Sequence, residues 1–307
     1  MYAIHRDFRK LTIAPPLGAL LLPIANAVLR WMFEREPNPA GVAATDYEIE
    51  GYRGEAIRVA VYGPAEARGP LPCLLYAHGG AFALRAAAYH KALACAYAAR
   101  TPCAVAFVHY RLLPAHRFPT ALEDCYEALT WLAREAVRLG VDPARIGVGG
   151  DSAGGALAAG LAQLARDRGG PPLAFQMLIY PVIDARQETE SMRTFLFTPL
   201  WNAILNRRMW KQYLADGDFG MRGYASPIEA ASLAGLPPAY VEACEFDCLR
   251  DEGRNYAEAL RAGGGEAEFV LTPGTIHGFE VFRKSAYART IVDRRVAALR
   301  RAFYPGA

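Results

Sequence analysis

The chain has 307 residues, of which 53% are hydrophobic and 21% charged, so it carries enough apolar material for a large globular core. Its 34 basic and 31 acidic residues give a net charge of +3, a near balance that argues against nucleic acid or an anionic membrane as a partner. The six cysteines lie mostly in apolar surroundings and without paired Cys/His motifs, which predicts buried free thiols rather than a zinc site.

Residues 1–45 contain an apolar run that admits more than one interpretation. Basic residues precede the run from Leu11 to Leu29, and Ala-Asn-Ala at 25–27 has the form of a signal-peptidase site, which would make the protein secreted or periplasmic. Three prolines interrupt the run and disfavour both a signal peptide and a transmembrane span. An amphipathic helix packed over a cytoplasmic protein is therefore favoured. Its packed face is expected at helical spacing, on Leu20, Ile24, Ala27, Val28 and Trp31.

After residue 45 the chain alternates short apolar strands with helical stretches. This alternation predicts an α/β fold, in which helices cover both faces of a mostly parallel sheet. Residues 46–183 and 226–307 are expected to form the two parts of this domain. The predicted strands are 47–49, 57–62, 73–77, 104–109, 146–149, 175–180, 240–243 and 267–271. The predicted helices lie near 89–100, 120–138, 154–167, 251–262 and 284–302.

Residues 184–225 break the alternation. They are rich in aromatic side chains and contain no clear strand, which predicts a helical insertion between two strands. With residues 1–45, this insertion is predicted to form a cap above one edge of the sheet, the alternative being extra core helices. Aromatic and aliphatic residues of the cap and of nearby loops are the predicted pocket walls, namely Phe82, Phe195, Phe197, Trp201, Ile276 and Phe279.

Residues 150–154, Gly-Asp-Ser-Ala-Gly, fit the G-x-S-x-G pattern of a nucleophile elbow. They follow a predicted strand and precede a helix of small residues, which is the context that the pattern requires. The nucleophile stands on a sharp turn, where glycine on either side removes steric clashes and permits a strained backbone. Ser152 is therefore predicted to be the nucleophile of a hydrolase.

A serine hydroxyl needs a base before it can act as a nucleophile. In elbow enzymes the chain order is serine, then acid, then histidine, and among six histidines only His277 follows Ser152. The orienting acid should lie after the preceding strand. Asp247 is the preferred acid there, and Glu245 and Asp251 remain alternatives.

The oxyanion-binding groups are sought after an earlier strand. His-Gly-Gly-Ala at 78–81 directly follows the predicted strand 73–77 and can present backbone N–H groups. Gly79 and Gly80, together with Ala153, are the predicted oxyanion donors. Alone, a His-Gly-Gly sequence indicates only a turn, and its position upstream of an elbow gives it significance. This chemistry requires neither a metal ion nor an organic cofactor.

Together these motifs resemble the hormone-sensitive-lipase family of α/β-hydrolases, which includes bacterial carboxylesterases and acetylesterases. The resemblance covers roughly residues 45–285. It implies an eight-stranded sheet, a helical cap and hydrolysis of small esters with short acyl chains, and homodimers are frequent in such proteins. The matching segments are HGG at 78–80, YRLLPAHRFP at 110–119, GDSAGG at 150–155, DCLRDE at 247–252 and HGF at 277–279.

Three positions depart from the family pattern. Ala81 replaces a third glycine, which leaves the oxyanion hole intact provided that the backbone needs no positive φ there. Cys248 replaces a proline and is expected to loosen the loop that carries Asp247. Ala115 replaces a glutamate in a stretch predicted to be structural support.

Other functions on this scaffold remain as alternatives. An amidase, such as an arylformamidase, would use the same three residues. A non-catalytic ligand-binding receptor is disfavoured because such receptors lose the base, whereas His277 is present. A lipase for long-chain lipids would need a long exposed apolar lid, and none is evident in the sequence.

Overall fold

The computed structural model describes residues 2–9 and 21–306. Its centre is an eight-stranded sheet with the strand order β1-β2-β4-β3-β5-β6-β7-β8. The strands are β1 (Val42–Glu50), β2 (Ala56–Pro64), β3 (Leu71–Ala77), β4 (Ala104–His109), β5 (Val141–Asp151), β6 (Phe175–Ile179), β7 (Ala239–Phe246) and β8 (Ala267–Ile276).

The sheet is mostly parallel. β2 pairs antiparallel with both β1 and β4, and the remaining strand pairs are parallel. β4 illustrates why the sheet is covered on both faces: Ala106 and Val108 enter one hydrophobic cluster, and Phe107 enters the other. The predicted α/β fold and all eight predicted strands are confirmed.

The described part of the chain contains ten α-helices. α3, α5 and α9 contribute to the first hydrophobic cluster, and α2 and α10 to the second. The helices are α1 (Leu22–Arg35), α2 (Ala88–Arg100), α3 (Thr120–Arg134), α4 (Ala136–Leu139), α5 (Ala153–Asp167), α6 (Glu190–Thr194), α7 (Ala203–Tyr213), α8 (Arg222–Ala225), α9 (Arg250–Ala262) and α10 (Ala286–Phe303).

The N-terminal helix α1 is present, but its predicted packed face is wrong. Ile24, Val28 and Trp31 are 63%, 50% and 55% exposed, and Ala27 is exposed as well. Leu20 lies outside the described residues. None of the described helices is long and apolar enough to cross a membrane.

The buried face of α1 lies on its other side. Leu22 and Phe33 are buried, and the Phe33 ring lies 5.6 Å from that of Phe107 on β4. The helix carries two apolar stripes at helical spacing, so periodicity alone could not select the one that meets the sheet. The side chain of Asn26 strengthens the attachment by donating a hydrogen bond to the Ala83 carbonyl at 2.9 Å.

Between β6 and β7, the fully described residues 184–225 contain α6, α7 and α8 and no strand. This agrees with the predicted helical insertion, whose role as a cap stays a prediction. All six cysteines are buried and unpaired, as predicted.

Candidate active site

The turn between β5 and α5 holds Ser152 in a strained backbone conformation, with φ +55°. A side chain on Gly154 would collide with the Ala77 carbonyl oxygen, and one on Gly150 with the Gly154 carbonyl. The two glycines therefore allow β5, the turn and α5 to pack closely. This sharp turn places Ser152 at the carboxyl edge of the sheet.

Asp247 and His277 lie at the same edge, because each directly follows the end of a parallel strand, β7 and β8. His277 Nε2 is 2.9 Å from Ser152 Oγ, and His277 Nδ1 is 2.7 Å from Asp247 Oδ2. A carboxylate only accepts hydrogen bonds, so Nδ1 carries the imidazole proton and Nε2 is left to accept the serine proton. The structure thus brings the three predicted residues into one buried, hydrogen-bonded chain.

The two alternative acids have other partners. Glu245 accepts a hydrogen bond from the Gly274 amide at 2.6 Å, and Asp251 accepts one from the Ser191 amide at 2.8 Å. The second oxygen of Asp247 accepts from the Leu249 amide at 3.1 Å. Asp247 is therefore held in position even though cysteine follows it instead of proline.

The predicted donor role of Gly79 is wrong. Its N–H donates to Asp151 Oδ1 at 3.0 Å, so it is not free to bind an oxyanion. In the described part of the chain, the amides of Gly80 and Ala81 donate no hydrogen bond, and both residues line the cavity that contains Ser152. Ala81 adopts φ +56°, so the condition under which an alanine was expected to leave the oxyanion hole intact is not met, although its amide remains unpaired among the described residues and lies beside the cavity.

Asp151, the residue before Ser152, ties the loop at residues 78–81 to the turn between β5 and α5. Its buried carboxylate also accepts hydrogen bonds from the Tyr76 hydroxyl at 2.7 Å and from His90 Nε2 at 3.1 Å. Burial opposes the charge, yet His90, Tyr76 and the Gly79 amide together hold the pKa of Asp151 below its ordinary value. Asp151 therefore stabilises the loop that carries Gly79.

His78 is also structural. Burial lowers its pKa to about 3, so the ring is neutral at physiological pH. Its Nδ1 lies 2.7 Å from the Gly79 carbonyl, and its ring stacks on Tyr110 with 4.6 Å between centroids. These contacts fix the start of the loop at residues 78–81 and leave His78 no part as a base.

A cavity of about 380 Å³ contains Ser152 and His277. Of the six predicted wall residues, only Trp201 lines it. Phe82 instead stacks on Tyr213 at 3.8 Å in the core, and Phe197 is 76% exposed. The remaining three, Phe195, Ile276 and Phe279, are buried away from the cavity.

The walls that the sequence did not reveal come from separate parts of the chain. Of these, Tyr180 has the clearest sequence signal, because it directly follows β6 at the same carboxyl edge as Ser152. Hydrophobic periodicity gave no indication of the other wall residues. The unpredicted side chains are Leu29, Leu84, Arg85, Ala87, Tyr89, His90, Asp151, Tyr180, Leu200 and Val281. Within residues 2–9 and 21–306, no group of His, Cys, Asp or Glu side chains is placed to hold a metal ion.

A buried ion network lies behind His277. The Tyr180 ring lies 4.6 Å from that of His277, and its hydroxyl donates to Glu280 at 2.6 Å. Arg295 of α10 pairs with Glu280 at 2.5 Å and with Glu242 of β7 at 2.6 Å. One guanidinium thus joins the C-terminal helix to the sheet and to the tyrosine beneath His277.

Replacing Arg295 with methionine should lower the free energy of unfolding by about 3–5 kcal/mol, because Glu242 and Glu280 would be left buried and unpaired. Urea denaturation followed by circular dichroism measures this loss. The matched control is Arg301→Met on the same helix, whose exposed pair with Glu268 should contribute no more than about 1 kcal/mol. Equal losses in the two variants would contradict the prediction.

An eight-stranded α/β sheet with an elbow serine, a histidine and an aspartate at its carboxyl edge defines the α/β hydrolases as the class of protein. The chain belongs to this family: the family's sequence pattern, described as alpha/beta hydrolase fold, matches residues 74–281. The predicted resemblance to the hormone-sensitive-lipase group is confirmed.

Named relatives agree with this assignment. The chain is 40% identical to carboxylesterase NlhH of Mycobacterium tuberculosis over 263 residues, covering 83% of this chain and 81% of the relative. It is similar in structure to esterase LipW from Mycobacterium marinum, with a TM-score of 0.91, 34% identity, and coverage of 99% and 97%. A bacterial heroin esterase gives a TM-score of 0.90 at 36% identity, with 98% of each chain covered.

Proposed function

We propose that this carboxylic ester hydrolase is a serine esterase that cleaves esters of short acyl chains through an acyl-enzyme. The observation that carries the proposal is the continuous hydrogen-bonded chain from Ser152 through His277 to Asp247. Relatives that span most of the chain are named carboxylesterase, carboxylic ester hydrolase and esterase, which supports the ester as the substrate class.

In the first step, Ser152 Oγ attacks the ester carbonyl while His277 Nε2 takes the hydroxyl proton. Asp247 keeps the imidazole in the required tautomer and stabilises the imidazolium that forms. His277 then gives the proton to the departing alcohol, which leaves an acyl group on Ser152. In the second step, a water molecule loses a proton to His277 Nε2 as its oxygen attacks the acyl carbonyl. The bond between the acyl group and Ser152 Oγ then breaks, the acid leaves, and His277 returns the proton to Ser152 Oγ.

The negative charge that develops on the carbonyl oxygen needs preorganised donors. We assign this role to the amides of Gly80, Ala81 and Ala153. Gly80 and Ala81 line the cavity beside Ser152, and Ala153 begins α5, where N–H groups have no partner within the helix. The positive end of the α5 dipole adds to the stabilisation.

The cap is assigned to α1 and residues 184–225. Leu29 of α1 lines the cavity, and so do Leu200 and Trp201 of the insertion. These two segments would therefore close the site above Ser152 and limit the length of the acyl chain.

The acyl-chain preference follows from the size of the cavity. Its volume, about 380 Å³, is near the lower end of the range for small-molecule pockets, roughly 300–1,000 Å³, and its walls are mainly apolar. Across p-nitrophenyl esters from acetate to palmitate, kcat/KM should be highest for the short esters and should fall at least about 10-fold by palmitate.

The ester panel, extended by one anilide, also tests the lipase and amidase alternatives. A rate that rises towards palmitate would overturn the short-chain preference and favour a lipase. Hydrolysis of p-nitroacetanilide as fast as that of p-nitrophenyl acetate would identify an amidase, because the same residues serve both reactions. Detergent must be held constant across the panel so that solubility does not imitate selectivity.

A further inference from the structure

Arg85 is the one arginine or lysine among the described residues that line the cavity around Ser152. We propose that Arg85 is the binding site for an anionic group on the substrate, so that the preferred esters carry a carboxylate. This inference rests on the proposed esterase function and names a substrate class for it.

The backbone of Arg85 is held in place by α1. Its amide donates to Asn26 Oδ1 at 2.8 Å, and Asn26 Nδ2 donates to the carbonyl of Ala83 at 2.9 Å. One asparagine therefore fixes the chain on both sides of Leu84, just after the oxyanion loop. The Arg85 side chain extends from this fixed position, and the residue is exposed to solvent.

Arg85 differs from its neighbours in having no carboxylate partner. In the described residues, no Asp or Glu oxygen lies within 4.0 Å of its guanidinium, and residues 10–20 contain no acidic residue. A larger cavity of about 770 Å³ adjoins α1 and shares Arg85 as a wall residue. The other guanidiniums of that cavity are neutralised within the protein: Arg30 by Glu34, Arg58 by Asp46 and Arg111 by Asp124.

The chemistry of this arrangement favours a carboxylate. A guanidinium presents a planar fork of donors that binds both carboxylate oxygens at once. A sphere of 380 Å³ is about 9 Å across, so the carboxylate would lie a few bonds from the reacting carbonyl.

The kinetic test compares two acetates of the same aryl alcohol, the anion 4-acetoxybenzoate and its neutral methyl ester. The measured quantity is the ratio of kcat/KM for the anion to that for the methyl ester. Arg85→Gln should lower this ratio by about 10-fold or more, mainly through KM of the anion. Arg85→Lys should restore part of the ratio, because it returns the charge without the fork.

Arg58→Gln is the matched control, because Arg58 lines only the larger cavity and its loss leaves Glu34 paired with Arg30. It should leave the ratio within about twofold of the wild type. A ratio that Arg85→Gln leaves unchanged, or that Arg58→Gln lowers equally, would overturn the proposal. The ratio is taken on one protein at a time, so general losses of activity cancel.

A binding measurement separates this proposal from the esterase function. Calorimetry with 4-acetoxybenzoate on Ser152→Ala measures binding without turnover. The double variant Ser152→Ala/Arg85→Gln should have a Kd about 10-fold higher than Ser152→Ala. If the wild type does not hydrolyse the ester but Arg85→Gln still weakens binding, the esterase function is rejected and the anion site is kept. Equal binding by the two variants would reject the anion site whatever the activity.

Discussion

Replacing Ser152 with alanine should lower the turnover of p-nitrophenyl acetate by about a million-fold. The alanine side chain has no oxygen to attack the carbonyl, so no acyl-enzyme can form. The hydrogen bond to His277 at 2.9 Å is lost as well, while the oxyanion amides remain. The residual rate should therefore still exceed that of the uncatalysed reaction. Initial rates at saturating substrate measure the effect.

Two observations complete the Ser152 test. Ser232→Ala makes the same chemical change at an exposed serine and should keep wild-type turnover. Mass spectrometry of rapidly quenched reactions should find an acetyl group on the peptide that contains residue 152 in the wild type and not in Ser152→Ala. Undiminished turnover in Ser152→Ala would refute the nucleophile assignment.

Asp247→Asn should lower turnover by roughly 10,000-fold. The buried aspartate accepts a hydrogen bond from His277 Nδ1 at 2.7 Å and so leaves Nε2 unprotonated towards Ser152. An asparagine can donate its own N–H to Nδ1, which stabilises the wrong tautomer and gives no charge to balance the imidazolium. The loss should therefore appear in kcat, because the acyl cavity itself is unchanged.

The alternative acids, Glu245 at the end of β7 and Asp251 in the first turn of α9, provide the controls. Glu245→Gln and Asp251→Asn should retain turnover within about 10-fold, since their carboxylates bind the amides of Gly274 and Ser191 and not the imidazole. Near-normal turnover of Asp247→Asn, with a large loss in one of these variants, would transfer the orienting role to that residue.

The amino-acid sequence determined the fold class. It also determined that Ser152, Asp247 and His277 lie close together at one edge of the sheet. Strand and helix patterns are local, and a glycine-flanked serine between a strand and a helix has few conformations available. Parallel strands place the residues that follow them at one edge, so three residues after β5, β7 and β8 had to come near each other. Chain order then left His277 as the one eligible histidine.

Tertiary structure decided which of several chemically suitable groups actually face the site. The Gly79 amide was a reasonable oxyanion donor until the fold brought the carboxylate of Asp151 to 3.0 Å from it. The cavity walls Leu29, Arg85 and Tyr180 meet only in the folded chain.

The dependence on tertiary packing also explains why the packed face of the N-terminal helix was predicted wrongly. Hydrophobic periodicity identifies α1 as a helix, but both of its stripes are apolar, and contact with the sheet buries Phe33 rather than Trp31. The type of a residue shows whether its side chain is suited to burial or to binding. Where that side chain points depends on which segments pack against it. For this reason, the sequence indicated which residues would meet at the site, and the three-dimensional packing decided the shape and charge of the pocket.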